Sequence, residues 1–271
     1  MSGTEKQSFL FRENYDHLDS GIDYLIENEI FSTTETTKSY EDLREAFNSY
    51  LSLSCTCENR VCSTKACLHG GNYTKSSTSP AELVLNQSRK NQEIIYECSQ
   101  FCKCLENCEN RLVQFGPRDH LEIRDFASQK GHGLFTKFPI PAGAFICEYA
   151  GELLTKSEAI RRDSQQNPMK YLICLNEISS DGGKHQTFVD PIRRGNIGRY
   201  LNHSCNPNCE ILSVRIDNII PKLGIFAKKD IFPDEELTFD YGANTSESTF
   251  GEKICLCGSE NCRKFLPNTC F

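Results

Sequence analysis

Nine soft or borderline metal ligands stand in two short runs, Cys55-x-Cys57-x4-Cys62-x4-Cys67-x-His69 and Cys98-x3-Cys102-x-Cys104-x3-Cys108. Ligands this close together favour chelation over the closing of loops by disulfides. Zinc takes four ligands in tetrahedral geometry, so nine ligands fill whole sites only if some are shared. Three zinc ions need about twelve bonds, which six terminal ligands and three bridging thiolates supply. Two separate zinc sites with a spare cysteine are the alternative, and spacing leaves both open. His69, two residues after Cys67, stands where a fifth ligand of the first run is expected. A ring nitrogen offers one lone pair whereas a thiolate can bridge two metals, so His69 is expected to be terminal.

A second constellation lies further along. Asn202-His203-Ser204-Cys205-x-Pro207-Asn208 is followed by Glu236-Leu-Thr-Phe239-Asp240-Tyr241, which brings an amide, an imidazole, a thiol and a phenol to one part of the chain. Taken singly, the first is also what an Asx-type turn beside a core cysteine looks like, and the second a strand end. Cys255-x-Cys257-x4-Cys262 adds three thiols near the C-terminus. Cys147, Cys174 and Cys209 read as small core or surface thiols, and Cys270 as an exposed terminal thiol.

The chain that must hold these groups has 271 residues, enough for one large domain or two to three small ones. Charged residues make up 25% and hydrophobic residues 38%, and no apolar stretch approaches a membrane span, so a soluble globular protein is expected. The balance of 30 Lys+Arg against 37 Asp+Glu gives a net charge of −7, which disfavours a direct nucleic-acid site and suits a cationic partner. No basic stretch followed by an apolar one opens the sequence, so no secretory signal is read. A secreted, disulfide-rich protein is therefore not favoured, and the sequons at Asn72, Asn86 and Asn244 are discounted as chance tripeptides.

Residues 1–54 are acidic and cysteine-free, and Glu41 to Leu51 places Leu43, Ala46, Phe47, Tyr50 and Leu51 on one face of an expected docking helix. Residues 70–91, with Gly70-Gly71 and Ser76-Ser-Thr-Ser-Pro80, read as a loop between the cysteine runs. From Leu121 to Tyr241 β-rich runs dominate, at 144–149, 171–175, 187–189, 211–216 and 223–227. The capping box Thr155-Lys-Ser-Glu158 announces a helix to about Gln165. Residues 243–253 read as a polar linker. The expected fold class is mostly β with short helices.

In this order the motifs resemble the SET-domain lysine methyltransferases. The flanking cysteine runs resemble the pre-SET and post-SET segments of the suppressor-of-variegation class, which modifies the histone H3 tail. Phe188-Val-Asp-Pro191, Gly195-Asn-Ile-Gly-Arg199-Tyr-Leu-Asn-His-Ser-Cys205 and Pro221-Lys-Leu look most like the subgroup fused to a mariner transposase. The resemblance covers roughly residues 55–268 and implies an N-terminal docking segment at 1–54, a pre-SET zinc cluster at 55–116, a catalytic domain at 119–242 and a post-SET segment at 251–267. It implies the SET β-clip fold, with the segment carrying Asn202 and His203 threaded through a loop as a pseudoknot.

The same resemblance implies S-adenosylmethionine lying against Lys130, Gly131, His132, Tyr171, Arg199, Asn202 and His203. The small Gly131 and Gly133 would let backbone approach the cofactor, and His132 stands where the family commonly has tryptophan. Cys205 would join Cys255, Cys257 and Cys262 in one closed, structural zinc site, beside three zincs in the first cluster. Tyr241 is then the expected catalytic hydroxyl, with Tyr171 shaping the channel for the substrate amine. Phe239, two residues before Tyr241 and so on the same face of a strand, is expected to leave room for at least two methyl groups. The implied activity is methyl transfer from S-adenosylmethionine to a lysine of the histone H3 tail, lysine 9 ahead of lysine 36, or of another basic protein, in the nucleus on the chromosome and away from membranes. A SET-fold scaffold that binds chromatin proteins with little turnover is the alternative.

Overall fold

A computed structural model of the chain describes residues 18, 21–34, 36–57, 62, 67–87, 94–104, 108–127, 130–165, 171–178, 182–242 and 250–267. The β-branched and aromatic runs sort into three small sheets and two hairpins. The five-stranded sheet is built on Lys184–Gly195, which runs antiparallel to both Ile173–Ile178 and Gly151–Leu154. Two short N-terminal strands, Asp23–Tyr24 and Glu29–Ile30, add to it in parallel. A four-stranded sheet runs in the order Ile94–Tyr96, Cys209–Arg215, Lys222–Ala227, Phe145–Glu148.

The third sheet carries the chemistry, in the order Asn202–His203, Glu236–Phe239, His132–Thr136, Leu121–Asp125. Asn202–His203 runs parallel to Glu236–Phe239, with Asn202 opposite Thr238 and His203 opposite Phe239. A parallel pair needs a crossover. The hairpin of Cys209–Arg215 and Lys222–Ala227, which belongs to the neighbouring sheet, supplies it. Leu134, Ile146, Val189, Ile197, Leu223 and Leu237 are fully buried in one core shared by the three sheets.

Two α-helices are present among the described residues. α1 spans Lys38–Asn48 behind the N-cap Thr37, and α2 spans Lys156–Asp163 behind the N-cap Thr155. Thr155 accepts from the backbone of Glu158, as the capping box requires, and α2 stops at Asp163 rather than Gln165 because Ser164 caps it. α1 ends at Asn48, so Tyr50 and Leu51 lie outside the expected docking face and Tyr50 is exposed. Leu43 and Phe47 do pack against buried residues.

Two other expectations change. The loop at 70–91 contains an antiparallel hairpin, Tyr73–Lys75 with Leu83–Leu85, and the linker at 243–253 ends in a strand, Phe250–Ile254, paired with Phe265–Pro267. Ser76 accepts from the backbone of Thr78 and Ser79, so the serine-rich stretch is the turn of that hairpin. Cys270 lies outside the described residues. Cys147, Cys174 and Cys209 are all buried.

Candidate active site and metal centres

Tyr241 lies just beyond the end of Glu236–Phe239, so its neighbourhood with Phe239 comes from a turn and not from strand alternation. The two ring centroids are still only 4.7 Å apart. The turn is held at both ends of the phenol: the Tyr241 hydroxyl donates to the Leu201 carbonyl at 3.0 Å, and its backbone N–H donates to Nδ1 of His203 at 3.2 Å. Asn208 fixes the strand below, accepting from Thr238 N–H at 2.9 Å and donating to the Glu236 carbonyl at 2.8 Å. Tyr149 packs edge-on to Phe239 and donates its hydroxyl to the Tyr171 carbonyl, which closes an aromatic surround of Tyr149, Tyr171, Phe239 and Tyr241.

Burial pushes the Tyr241 hydroxyl well above its ordinary pKa, with Tyr171 and Glu236 adding to the shift and the contact with His203 opposing it. The phenol therefore stays neutral. Burial also holds His203 down to about 4, against the pull of Asp240 and in line with the repulsion of Arg263. Because Nδ1 of this neutral imidazole accepts from Tyr241, its proton sits on Nε2, which is 3.4 Å from Cys205 Sγ.

Beside this surround is a pocket lined by Lys130, His132, Tyr171, Arg199, Asn202 and His203, six of the seven residues expected at the cofactor. Gly131 does not line it; its φ of 71° is a left-handed conformation that glycine adopts without strain. Gly133 leaves room for its neighbours. A Cβ there would stand 2.5 Å from the Phe126 ring and 2.9 Å from Glu236 Oε1. Asn202 donates to the His132 carbonyl at 2.8 Å and to Glu236 Oε1 at 2.9 Å, while the other Glu236 oxygen pairs with Lys130. Arg199 is buried, bonds the Pro191 carbonyl at 3.1 Å, and lies over the rings of Tyr171 and Tyr200. The His132 ring meets Tyr200 edge-on with centroids 6.0 Å apart.

The C-terminal tail, expected to be tied over Asn202 and Tyr241 through its thiols, forms the far wall of the pocket. Lys253, Ile254, Leu256, Cys257 and Leu266 of the C-terminal tail line it. The tail is brought there by thiols: Sγ atoms of Cys205, Cys255, Cys257 and Cys262 all lie within 4.8 Å of one another, and Cys205 to Cys255 is 3.8 Å. Thiolates at the corners of a tetrahedron with Zn–S of about 2.3 Å are about 3.8 Å apart, so the set fits a closed four-thiolate site.

The matching family model is the SET domain, over residues 131–242. The chain is 41% identical over 229 residues to the human histone-lysine N-methyltransferase SETMAR, covering 79% of this chain and 33% of that protein. It is 44% identical over 219 residues to the probable histone-lysine N-methyltransferase set-23 of Caenorhabditis elegans, covering 79% of this chain and 86% of the relative. The chain belongs to the SET-domain family. With that family it falls among the S-adenosylmethionine-dependent methyltransferases. The crystal structure of the methyltransferase domain of human SETMAR superimposes with a TM-score of 0.74 at 34% identity, over 95% of this chain and 92% of that domain. KRYPTONITE, solved with mCHH DNA, an H3(1-15) peptide and SAH, gives a TM-score of 0.66 at 26% identity, over 91% of this chain and 48% of that one.

The SET core is joined to the first cysteine cluster, a buried body in its own right. Three four-ligand sets are close enough to hold a metal: Cys55, Cys62, Cys98 and Cys104; Cys55, Cys67, His69 and Cys98; and Cys55, Cys57, Cys62 and Cys67. Nδ1 of His69 faces Cys98, Cys67 and Cys102 at 3.7, 3.8 and 3.9 Å, and its buried Nε2 has no hydrogen-bond partner among the described residues. Cys102 and Cys108 belong to the same buried body, Cys102 accepting from Cys55 N–H and Cys108 from Asn110 N–H, each at 3.4 Å. None of the 15 described cysteines is in a disulfide.

Sequence reasoning missed Glu236, Asn208, Tyr149, Tyr200 and Arg263. Glu236, Asn208 and Tyr200 stand inside the motifs quoted above, and Asn208 is a buried polar residue whose burial requires hydrogen-bond partners.

Proposed function

We propose that this protein transfers methyl groups from S-adenosylmethionine to a lysine in the tail of histone H3, lysine 9 ahead of lysine 36, and that it acts on chromatin in the nucleus. The observation that carries the reading is a neutral, buried Tyr241 hydroxyl at the meeting of an aromatic surround and a pocket walled by the thiol-rich tail. The SETMAR and set-23 relatives and the H3 peptide bound to KRYPTONITE support the substrate class. A net charge of −7 suits a basic tail.

When bound, S-adenosylmethionine supplies an electrophilic methyl group. Asn202, Lys130 and Arg199 present polar and cationic groups around its pocket, and Tyr171, Leu256 and Leu266 present ring and aliphatic surface, so the lining fits a molecule with both a charged and an aromatic end. The substrate amine must arrive with a lone pair, yet a lysine of ordinary pKa about 10.4 is almost all ammonium near neutrality. The aromatic surround disfavours the ammonium by desolvation. Tyr241, whose own proton is held tightly, orients the amine by hydrogen bonding and does not take its proton. Phe239, with no hydroxyl to anchor a methylated nitrogen, leaves it free to turn for another transfer.

Four zinc ions complete the reading, three in the first cluster and one at Cys205, Cys255, Cys257 and Cys262. Cys55 belongs to all three candidate sets of the cluster, and Cys62, Cys67 and Cys98 to two each; overlapping sets support shared thiolates, although they do not include Cys102 and Cys108. A closed thiolate site has no position for water, so the metal is structural. The division into segments 1–54, 55–116, 119–242 and 251–267 follows the same reading. Tritiated S-adenosylmethionine with H3-tail peptides carrying single Lys→Arg changes tests it: label should fail to transfer only when lysine 9 is changed. Equal labelling of every variant would remove the site assignment.

A further inference from the structure

Arg263 follows Cys262 directly in the chain, and its side chain turns back toward the turn that carries Tyr241. Its backbone N–H and its Nε both donate to Sγ of Cys205, at 3.3 and 3.5 Å. Its Nη2 donates to Oδ1 of Asp240 at 2.6 Å and lies 3.4 Å from Nε2 of His203. The same Asp240 oxygen accepts from the N–H of Gly242 at 3.0 Å. One carboxylate oxygen thus ties together the residues on either side of Tyr241, and one guanidinium ties that oxygen to a thiol of the tail.

We propose that Arg263 is a positioning residue for Tyr241. It couples closure of the thiol-bound tail to the turn 240–242, so that the catalytic hydroxyl is held on the Leu201 carbonyl only while the tail is in place. The inference rests on the methyltransferase reading and adds to it a connection between tail and phenol. A planar guanidinium can meet a sulfur on one edge and a carboxylate on another at fixed separation, which an ammonium cannot do. Side-chain exposures of 28% for Arg263 and 24% for Asp240 put the pair at the rim, where an ion pair adds little to stability. Its effect is therefore on geometry, and a deletion should be felt in turnover before it is felt in folding.

The test is steady-state kinetics of the full chain with an H3-tail peptide, alongside zinc content by elemental analysis and S-adenosylmethionine affinity by calorimetry. The variants are Arg263→Ala, Asp240→Asn, their double, and Arg263→Lys. Arg263→Ala should lower kcat by about tenfold or more while peptide KM, cofactor Kd and zinc content stay near wild type. Asp240→Asn, which does not touch the thiol, should do the same. The double variant should be no worse than the worse single one, because both remove one coupled contact. Arg263→Lys should recover part of kcat by restoring the charge on Asp240. An unchanged kcat, multiplicative losses in the double variant, or zinc lost in step with activity in both single variants would overturn the proposal. A wild-type protein that transfers no methyl would overturn the underlying reading and this one with it, whereas an active wild type with an equally active Arg263→Ala overturns this one alone.

Discussion

At the residue scale the account turns on a phenol that keeps its proton. Tyr241 is half-buried and desolvation raises its hydroxyl pKa above the ordinary value of about 10, so at every pH below that the neutral form dominates. Activity should then rise with pH as the substrate lysine loses its proton, and Tyr241→Phe should show the same rising limb at a level lower by about a hundredfold or more. A limb that vanishes in Tyr241→Phe would mean the phenol itself titrates. Phe239 makes the companion prediction. Its ring is buried 4.7 Å from that of Tyr241, so Phe239→Tyr places a hydroxyl at the channel and should shift the product toward monomethyl lysine with total activity largely kept. Mass spectrometry of a long incubation reads this directly, and an unchanged product ladder would remove Phe239 from that role. Both residues were legible in Glu236-Leu-Thr-Phe239-Asp240-Tyr241. The reason offered for their proximity was not: the strand stops at Phe239, and the hydrogen bonds of Tyr241 to His203 and Leu201 bring the ring back.

At the scale of elements, the sheet of Asn202–His203, Glu236–Phe239 and His132–Thr136 is what gathers the site. Glu236 is its hinge pin, since one oxygen holds Asn202 and the other Lys130, and both partners line the cofactor pocket. Gly133 gives Glu236 and Phe126 the space to do this. Gly133→Ala should cost about 1–3 kcal/mol from overpacking and weaken S-adenosylmethionine binding through Asn202, measured by thermal melting and calorimetry. Unaltered cofactor affinity would show that the strand absorbs the methyl without moving Glu236. Helix α2 and most of the longer strands were readable from a capping box and branched residues, because those signals are local. The hairpin inside residues 70–91 was hidden because Gly70-Gly71 and the serine run look like loop, while its pairing partner lies only a few residues away. The gathering of Cys205 with Cys255, Cys257 and Cys262 was expected, but the tail side chains that wall the pocket, Lys253, Ile254, Leu256 and Leu266, carried no signal of their own.

At the scale of the whole molecule, a cluster of eight cysteines and one histidine, a core of three small sheets and a tail gathered by four thiols stand in one chain. Elemental analysis should find about four zincs per chain. His69→Cys should keep that number, and His69→Ala should lower zinc content or melting temperature. A count near two, or full activity after strong chelation, would contradict the cluster arrangement. The family and the mostly-β architecture were legible because their motifs are short and stand in a fixed order. The N-terminal strands Asp23–Tyr24 and Glu29–Ile30 were not, since two residues carry no periodicity, yet they extend the largest sheet. Asn28 between them accepts from Gly151 N–H at 2.9 Å and donates to Glu148 at 3.2 Å, beside the pair of buried Glu148 with half-buried Lys222. Burial raises the Glu148 pKa while Lys222 opposes that rise.

The central claim is that this site moves a methyl group onto a histone lysine through Tyr241. Intact-mass spectrometry of an H3-tail peptide, incubated with the zinc-loaded chain and S-adenosylmethionine labelled with deuterium in its methyl group, tests it most directly. The account predicts labelled methyl groups on a single lysine, accumulating past one with time, and almost none when Tyr241→Phe replaces the wild type. A zinc-loaded, cofactor-binding wild-type protein that leaves the peptide unlabelled would contradict it.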